Sequence, residues 1–350
     1  MMKGNEAMGL AAVKGGCKAF FGYPITPQNE IPEYLSKVLP QNGGVFIQAE
    51  SEVAAINMVY GAAGTGARVL TSSSSPGIAL KQEGISYIAG AELPCVVINV
   101  MRGGPGLGGI QPSQADYKQI TRGGGNGDYY VIAYSPENLQ ETVNIIKQAF
   151  DTADYYRNPV MIAVDGMIGQ MMEPVDLDIA VPQRDLTEKT WATTGTEGKR
   201  SPNKVSSLFL DPAKLEEHSL KLKAKYDHIK ENEQLYELVN TENAELVIVA
   251  YGTMSRICRS AIEQLKQEGI NVGLVRPITI WPYPEKAFNE LPESVKGILV
   301  CELSTGQMID DVKIANNGKL PVDFFGRTGG MLPTPEEIVQ AVKKMLGGLE

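Results

Sequence analysis

Residues 47–77 read IQAESEVAAINMVYGAAGTGARVLTSSSSPG, and this stretch decides the fold. A short apolar run, Val45 to Ile47, predicts a strand that leads into Ser51, which can cap a helix carrying Glu52 at its first position. The helix runs through Val53, Ala54, Ile56, Met58 and Val59 and fades at Gly61, Gly64 and Gly66. Apart from Asn57 and Tyr60 it is nearly all small or apolar, which predicts burial on most sides. Glu52 then stands at the dry mouth of a buried helix, where a carboxylate either complements the helix macrodipole or begins a site. A strand from Ala67 to Thr71 follows. The hydroxyl run Ser72 to Ser75, with Pro76 and Gly77, caps the next helix, about Ile78 to Ala91, or meets a phosphate.

Composition narrows the function classes. At 350 residues with 43% hydrophobic side chains the chain is long enough for two cored domains. The net charge of −9 leaves no basic footprint for nucleic acid or for an anionic membrane. No apolar run approaches the ~20 residues of a membrane span, and MMKGNEAMGL does not read as a signal peptide, so a soluble cytoplasmic protein is expected. Cys17, Cys95, Cys258 and Cys301 stand far apart without a Cys-x-x-Cys pair, which gives neither a zinc knot nor an iron–sulfur cluster its ligand spacing. They read as core thiols. His218 and His228 are the only histidines, both in one charged stretch. Any chemistry therefore rests on carboxylates, arginine, hydroxyls or a cofactor, and no metal ligands are expected in this chain.

Upstream of the deciding stretch, residues 5–16 read as a helix and Cys17 to Tyr23 as a strand that stops at YPITP, residues 23–27. The two prolines fix the backbone on both sides, and Pro27 forces Thr26 extended. Its hydroxyl is held still at the C-terminal edge of a strand, where it caps the helix NEIPEYLSKVL or touches a ligand. Downstream, CVVINVM (95–101) is an apolar strand of the buried parallel kind, with Arg102 directly after it. A guanidinium there lies where open α/β sheets bind ligands, and its planar fork suits a carboxylate.

Gly104, Gly106 and Gly109 satisfy Gly-x-Gly-x-x-Gly, but Pro105 and Pro112 interrupt the segment and no helix opens from it. A mobile glycine-rich cover over a pocket fits better than a dinucleotide loop. RGGGNGD (122–128), a strand from Tyr130 to Ala133, a helix capped by Ser135 and Pro136 and reaching about Tyr156, and a strand from Val160 to Val164 complete an α/β domain over 1–165. Residues 166–243 read as a connector. It is irregular at first, then forms a long charged helix from Asp211 and Pro212 toward Thr241, a solvated face that can brace another chain. From 244 to 350 the α/β rhythm returns in a smaller domain: ELVIVAYG, a helix from Ser255 to Glu268, Asn271 to Val275 running on to PITIWPYP, two further strands, and a last helix from Pro335.

The order YPITP, then Ser-Glu at the head of an Ala- and Gly-rich helix, then a Ser-rich turn, then Arg after a buried strand resembles the alpha chain of the 2-oxoacid:ferredoxin oxidoreductases. The likeness is collinear over residues 1 to about 175, and the second domain resembles the transketolase C-terminal type. FGYPITPQNEIPEYL, QAESEVAAINM and MRGGPGLG look most like the branched-chain 2-oxoisovalerate (3-methyl-2-oxobutanoate) form. Such enzymes decarboxylate a 2-oxoacid on thiamine diphosphate, pass two electrons through iron–sulfur clusters to ferredoxin, and release an acyl-CoA. The resemblance implies a pyrimidine-type thiamine-diphosphate-binding domain with a mainly parallel sheet. It makes Glu52 the carboxylate on the aminopyrimidine ring, where a shared proton favours the imino tautomer. Arg102 becomes the grip on the 2-oxoacid carboxylate and Thr26 the hydroxyl beside the reacting carbon. Tyr23, Pro24, Ile25 and Ser75 are expected around the cofactor.

The half of a thiamine site that holds diphosphate uses Gly-Asp-Gly with a downstream Asn, and Asp165-Gly166 lacks both the first glycine and the Asn. The resemblance therefore implies the pyrimidine half only. Diphosphate, Mg²⁺ and 4Fe–4S clusters are expected in partners: a diphosphate-binding beta subunit, a gamma subunit and a ferredoxin-like subunit. Ferredoxin and coenzyme A are the co-reactants, and a hetero-oligomer of dimerised alpha–beta units is expected. A 2-oxoglutarate substrate would want a second cation near Arg102, for which Lys118 and Arg122 are available; a branched arm would want an apolar wall. A transketolase-like transferase half is disfavoured by the scarcity of histidine, and a non-catalytic scaffold subunit remains the reading of another class.

Overall fold

The computed structural model describes residues 1–348. Its larger sheet has seven strands in the order Thr279–Trp281, Ile132–Tyr134, Pro159–Asp165, Cys95–Met101, Val69–Ser73, Ala19–Gly22, Val45–Gln48. All neighbours run parallel except the first pair. The uninterrupted apolar run CVVINVM lies at the centre, every residue buried, and pairs residue for residue with Pro159–Asp165. That is where helices on both faces leave no room for alternation. A smaller sheet of five strands follows the order Val322–Gly326, Gly297–Glu302, Leu246–Val249, Val272–Pro277, Tyr236–Val239, parallel but for the last pair. Met2–Lys3 pairs antiparallel with Met172–Glu173.

The deciding stretch folds largely as expected. Ser51 is extended and its Oγ accepts from the Ala54 N–H at 3.1 Å, starting a helix over Glu52–Gly64. This helix is less buried than its apolar sequence predicts, because Val53, Asn57 and Gly61 face outward. The following helix starts at Ser75, three residues ahead of the expected Ile78, and runs to Gly90. The two helices pack closely at Gly84, where a Cβ would lie 2.5 Å from Ile56 Cγ2.

Three further expectations are corrected. The helix Leu139–Tyr156 is capped by Asn138, whose Oδ1 accepts from the Glu141 N–H at 2.9 Å; the Ser135 hydroxyl instead donates to the Ala163 carbonyl at 2.9 Å. The charged helix Pro212–Asn232 stops well short of Thr241, and Tyr236–Val239 is a strand of the smaller sheet. PITIWPYP does not simply prolong its strand: Thr279–Trp281 crosses to the larger sheet and pairs with Ile132–Tyr134, with Trp281 stacked on Tyr130 at 4.6 Å. The two sheets are thus tied through the chain itself. Arg276 adds a buried clasp, donating from both Nη atoms to Glu141 at 2.9 and 2.8 Å and from Nε to Glu237 at 2.8 Å.

Candidate active site

The C-terminal ends of Ala19–Gly22, Val69–Ser73, Cys95–Met101 and Pro159–Asp165 meet at one edge of the larger sheet, the place where parallel α/β sheets gather ligands. Glu52 is 6% exposed, and among the described residues no donor bonds its carboxylate. It lies over Gly77: a Cβ at that position would fall 2.5 Å from Glu52 Oε1 and 2.0 Å from Ser73 Oγ. The hydroxyls of Ser73 and Ser74 are both buried without partners. Ser74 occupies the N-cap of the Ser75 helix but makes no side-chain capping bond. A buried carboxylate beside the orphaned Ser73 hydroxyl and a glycine cradle is an arrangement that folding alone does not reward. It fits a polar heterocycle carrying both donors and acceptors.

The YPITP turn is fixed from below. Ser72 Oγ donates to Gln28 Oε1 at 2.5 Å, and Gln28 Nε2 donates to the Tyr23 carbonyl at 3.2 Å. Tyr23 and Pro24 are exposed, Ile25 is half-buried and Thr26 is exposed. Thr26 does not cap the next helix, whose N-cap is Asn29; its hydroxyl has only a 3.5 Å contact from Asn29 Nδ2, at the outer limit of a bond. Arg102 is buried beside it and reaches main chain on two sides: Nη1 donates to the Thr26 carbonyl at 2.8 Å and Nη2 to the Leu107 carbonyl at 3.1 Å. Its Nε–H is buried without an acceptor. Thr26 and Arg102 are therefore adjacent, as their separate motifs suggested, and one guanidinium edge is uncommitted.

Ser75 is placed differently from the expectation of a cofactor contact. Its hydroxyl donates to Asp116 Oδ2 at 2.6 Å and accepts from the Arg102 N–H at 3.0 Å, so it positions Arg102 from behind. Asn99 completes the cluster, donating to Asp116 at 2.9 Å and accepting from the Ser75 N–H at 3.2 Å. Burial raises the Asp116 carboxyl above its ordinary range, partly offset by the Ser75 and Asn99 bonds. The glycine-rich loop doubles back on itself, Gly103 N–H to Gln111 at 3.1 Å and Gly109 N–H to Gly103 at 2.8 Å, and no helix starts before Tyr117. Between it, Thr26 and the segment around Leu332 runs an open groove of about 650 Å³, with Ile110, Met167, Met171 and Leu332 on its wall.

Neither candidate second cation faces Arg102. Lys118 pairs with Asp310 at 2.7 Å and Arg122 with Asp311 at 2.5 Å, both on the helix Met308–Asn316. Asp165 is also committed, its Oδ1 accepting from the N–H groups of Met167 and Ile168 at 3.0 and 3.2 Å.

Lys81, which no motif singles out, is fully buried and donates to Thr71 Oγ1 at 2.7 Å and to the Ser72 carbonyl at 3.0 Å. Burial pushes its ammonium down to about 7 from its ordinary 10.5, against the opposing pull of the Glu52 charge. Across that window the unfolded chain holds a proton that the folded chain has released. Stability therefore rises with pH from this group, by at most about 1.4 kcal/mol per pH unit. Lys81→Met should remove that rise, seen as a flatter pH dependence of the urea midpoint above neutrality; parallel curves for variant and wild type would contradict it.

The comparisons with known proteins bear on this geometry. The family model for the pyruvate flavodoxin/ferredoxin oxidoreductase thiamine-diphosphate-binding region matches residues 10–241, and that for pyruvate:ferredoxin oxidoreductase core domain II matches residues 244–338. This chain belongs to the 2-oxoacid:ferredoxin oxidoreductase family. Ketoisovalerate oxidoreductase subunit VorB of Methanothermobacter thermautotrophicus is 47% identical to it, over 99% of this chain and 98% of its own length. The solved 2-oxoglutarate:ferredoxin oxidoreductase from Magnetococcus marinus, with 2-oxoglutarate, coenzyme A and succinyl-CoA bound, superposes with a TM-score of 0.86 at 27% identity. That match covers 98% of this chain and 64% of the solved one. A split-gene transketolase, an inactive beta4 tetramer, shares the fold at 16% identity and a TM-score of 0.64, over 99% of this chain and 98% of that one. The α/β thiamine-diphosphate fold of this oxidoreductase family, with its transketolase-like second unit, is thus the one expected from YPITP and Ser-Glu.

Proposed function

We propose that this chain is the alpha subunit of a 2-oxoisovalerate:ferredoxin oxidoreductase and supplies the aminopyrimidine half of a thiamine diphosphate site completed by a partner. The observation that carries the proposal is the buried, donorless Glu52 carboxylate over Gly77, with the orphaned hydroxyl of Ser73 beside it. When bound, thiamine diphosphate supplies the nucleophilic carbon and the electron sink for decarboxylating a 2-oxoacid. Glu52 holds a proton against the pyrimidine ring nitrogen, with Tyr23, Pro24 and Ile25 beside the ring. Arg102 offers its uncommitted Nε–H edge to the 2-oxoacid carboxylate, and its bonds to Thr26 and Leu107 keep that edge still. Thr26 presents its nearly free hydroxyl beside the reacting carbonyl.

Branched-chain substrate is supported by the 47% relative and by the groove beside Thr26, whose lining sets Ile110, Met167, Met171 and Leu332 beside uncharged polar groups and the Glu30 carboxylate and holds no cation. Lys118 and Arg122 are already paired and leave a second carboxylate unanswered. The outer strand of the larger sheet exposes Val45 at 52% and Ile47 at 41%, and the Glu52 helix exposes Val53 at 45%. A cofactor bridging two chains makes such an apolar edge an obligate interface. We assign that partner as the diphosphate-binding beta subunit, which brings Mg²⁺, with gamma and ferredoxin-like subunits carrying the 4Fe–4S clusters to ferredoxin. No helix among the described residues is long and apolar enough to cross a membrane. A cytoplasmic complex is part of this proposal.

The test is an anoxic purification of the tagged chain with its partners, assayed for coenzyme A-dependent viologen reduction. Faster turnover of 2-oxoisovalerate than of 2-oxoglutarate is expected; the reverse order would move the assignment to the 2-oxoglutarate enzymes.

A further inference from the structure

We propose that Asp116 is a positioning residue for the 2-oxoacid grip: its carboxylate ties the far end of the glycine-rich loop to the main chain at Arg102, and so fixes where the guanidinium stands. The inference rests on the reading of Arg102 as the group that holds the substrate carboxylate, and adds to it the residue that aims it. The loop leaves the central strand at Arg102 and ends at Asp116, whose Oδ2 accepts two bonds, from the Ser75 hydroxyl at 2.6 Å and from Asn99 Nδ2 at 2.9 Å. The Ser75 hydroxyl has one proton to give. The Arg102 carbonyl lies farther from it, at 3.2 Å, and the shorter bond to a carboxylate is the stronger. The Ser75 lone pairs are then turned to the Arg102 N–H at 3.0 Å. Asp116 thus orients the hydroxyl that holds the Arg102 main chain.

The residues around this link serve it at a cost. Asn99 is fully buried in the otherwise apolar strand CVVINVM, where an amide is tolerated only if it is answered on both sides. Its oxygen accepts from the Ser75 N–H and its nitrogen donates to Asp116. Asp116 stands at the N-cap of the helix Tyr117–Arg122 and makes no capping bond, forgoing the usual work of an aspartate there. The loop provides a second hold. Its tip returns to the guanidinium, the Leu107 carbonyl accepting from Nη2 at 3.1 Å. Its far end is clamped by the second unit, where Gln114 bonds the Leu303 carbonyl through its N–H and the Leu303 N–H through Oε1, both at 2.9 Å. Between tip and clamp, Asp116 brings the chain back to Arg102. Without its carboxylate, Ser75 loses its orientation and the Leu107 carbonyl is free to leave Nη2. Glu52 and Ser73, whose hydroxyl is unpartnered, lie outside this network. The substrate grip loosens while the cofactor's contacts stay in place.

The experiment uses the assembled complex with Asp116→Leu, Asp116→Asn, Ser75→Ala and Arg102→Met. It reads kcat and KM for the 2-oxoacid in viologen reduction, with thiamine diphosphate affinity measured alongside. Asp116→Leu fills the same space without an acceptor. It is expected to raise KM about tenfold, the size of one charge-assisted hydrogen bond put out of line, with kcat and cofactor affinity moving far less. Asp116→Asn keeps an oxygen where Oδ2 accepts both bonds and should bring KM most of the way back. Ser75→Ala cuts the link to the Arg102 N–H but leaves a good helix former in place, and should raise KM in the same sense. A wild-type KM in Asp116→Leu overturns the inference. So does an equal loss in kcat, KM and cofactor affinity that Asp116→Asn does not restore, the pattern of a merely structural aspartate. If Asp116→Leu fails to assemble, Ser75→Ala decides in the same way. Should Arg102→Met itself keep the wild-type KM, the reading of Arg102 falls and this inference with it, whereas a wild-type KM in Asp116→Leu alone leaves that reading standing.

Discussion

Glu52→Gln in the assembled complex is expected to lower kcat by about 10²- to 10⁴-fold, the usual contribution of a positioned acid–base group. Glutamine keeps the size of the side chain and its place at the first turn of the helix, where Ser51 rather than Glu52 makes the capping bond. The fold should therefore be indifferent to the change. What is lost is the ability to hold a proton against the ring nitrogen, so turnover falls far more than cofactor affinity. Stopped-flow reduction of the iron–sulfur partners after mixing with 2-oxoacid separates the two effects. Unchanged turnover would leave this chain as a scaffold subunit that keeps the fold without the chemistry.

Gly77→Ala is expected to keep the fold and lose the cofactor. In a helix, alanine is better than glycine by about 0.5–1 kcal/mol, and the atoms a Cβ would meet at 2.0 and 2.5 Å are the ends of two side chains, Ser73 Oγ and Glu52 Oε1, not backbone. Both can turn aside. The thermal midpoint should hold or rise, while the displaced Glu52 loses its place over the ring and thiamine diphosphate affinity drops by at least about tenfold. A variant with wild-type affinity would show that Glu52 does not work from the position it occupies here.

Much of this site is local enough to be legible in sequence. Ser51-Glu52 at the head of a helix, prolines on both sides of Ile25-Thr26, and an arginine released from a seven-residue buried strand are each short signals, and each is where it was expected. The parts that were not legible are the long-range ones. Ser75 looked like a ligand because hydroxyls at helix starts often are; its commitment to Asp116 depends on a residue 41 positions away. Nothing local marks Lys81 as buried; its bonds to Thr71 and Ser72 depend on the strand packed against its helix. Asn138 displaced Ser135 as a cap because the Ser135 hydroxyl found a carbonyl on the neighbouring strand, and periodicity carries no word of that competitor. The passage of Thr279–Trp281 into the other sheet is likewise a matter of which edge is open, not of β propensity.

The central claim is that this chain holds half a cofactor site. Its most direct test is the thiamine diphosphate content, by equilibrium dialysis with Mg²⁺, of the purified chain alone and of the same chain co-expressed with its partner subunits. Negligible retention by the lone chain and about one cofactor per chain in the complex is the expected result. A lone chain that retains thiamine diphosphate stoichiometrically, or a complex of all partners that retains none, would contradict it.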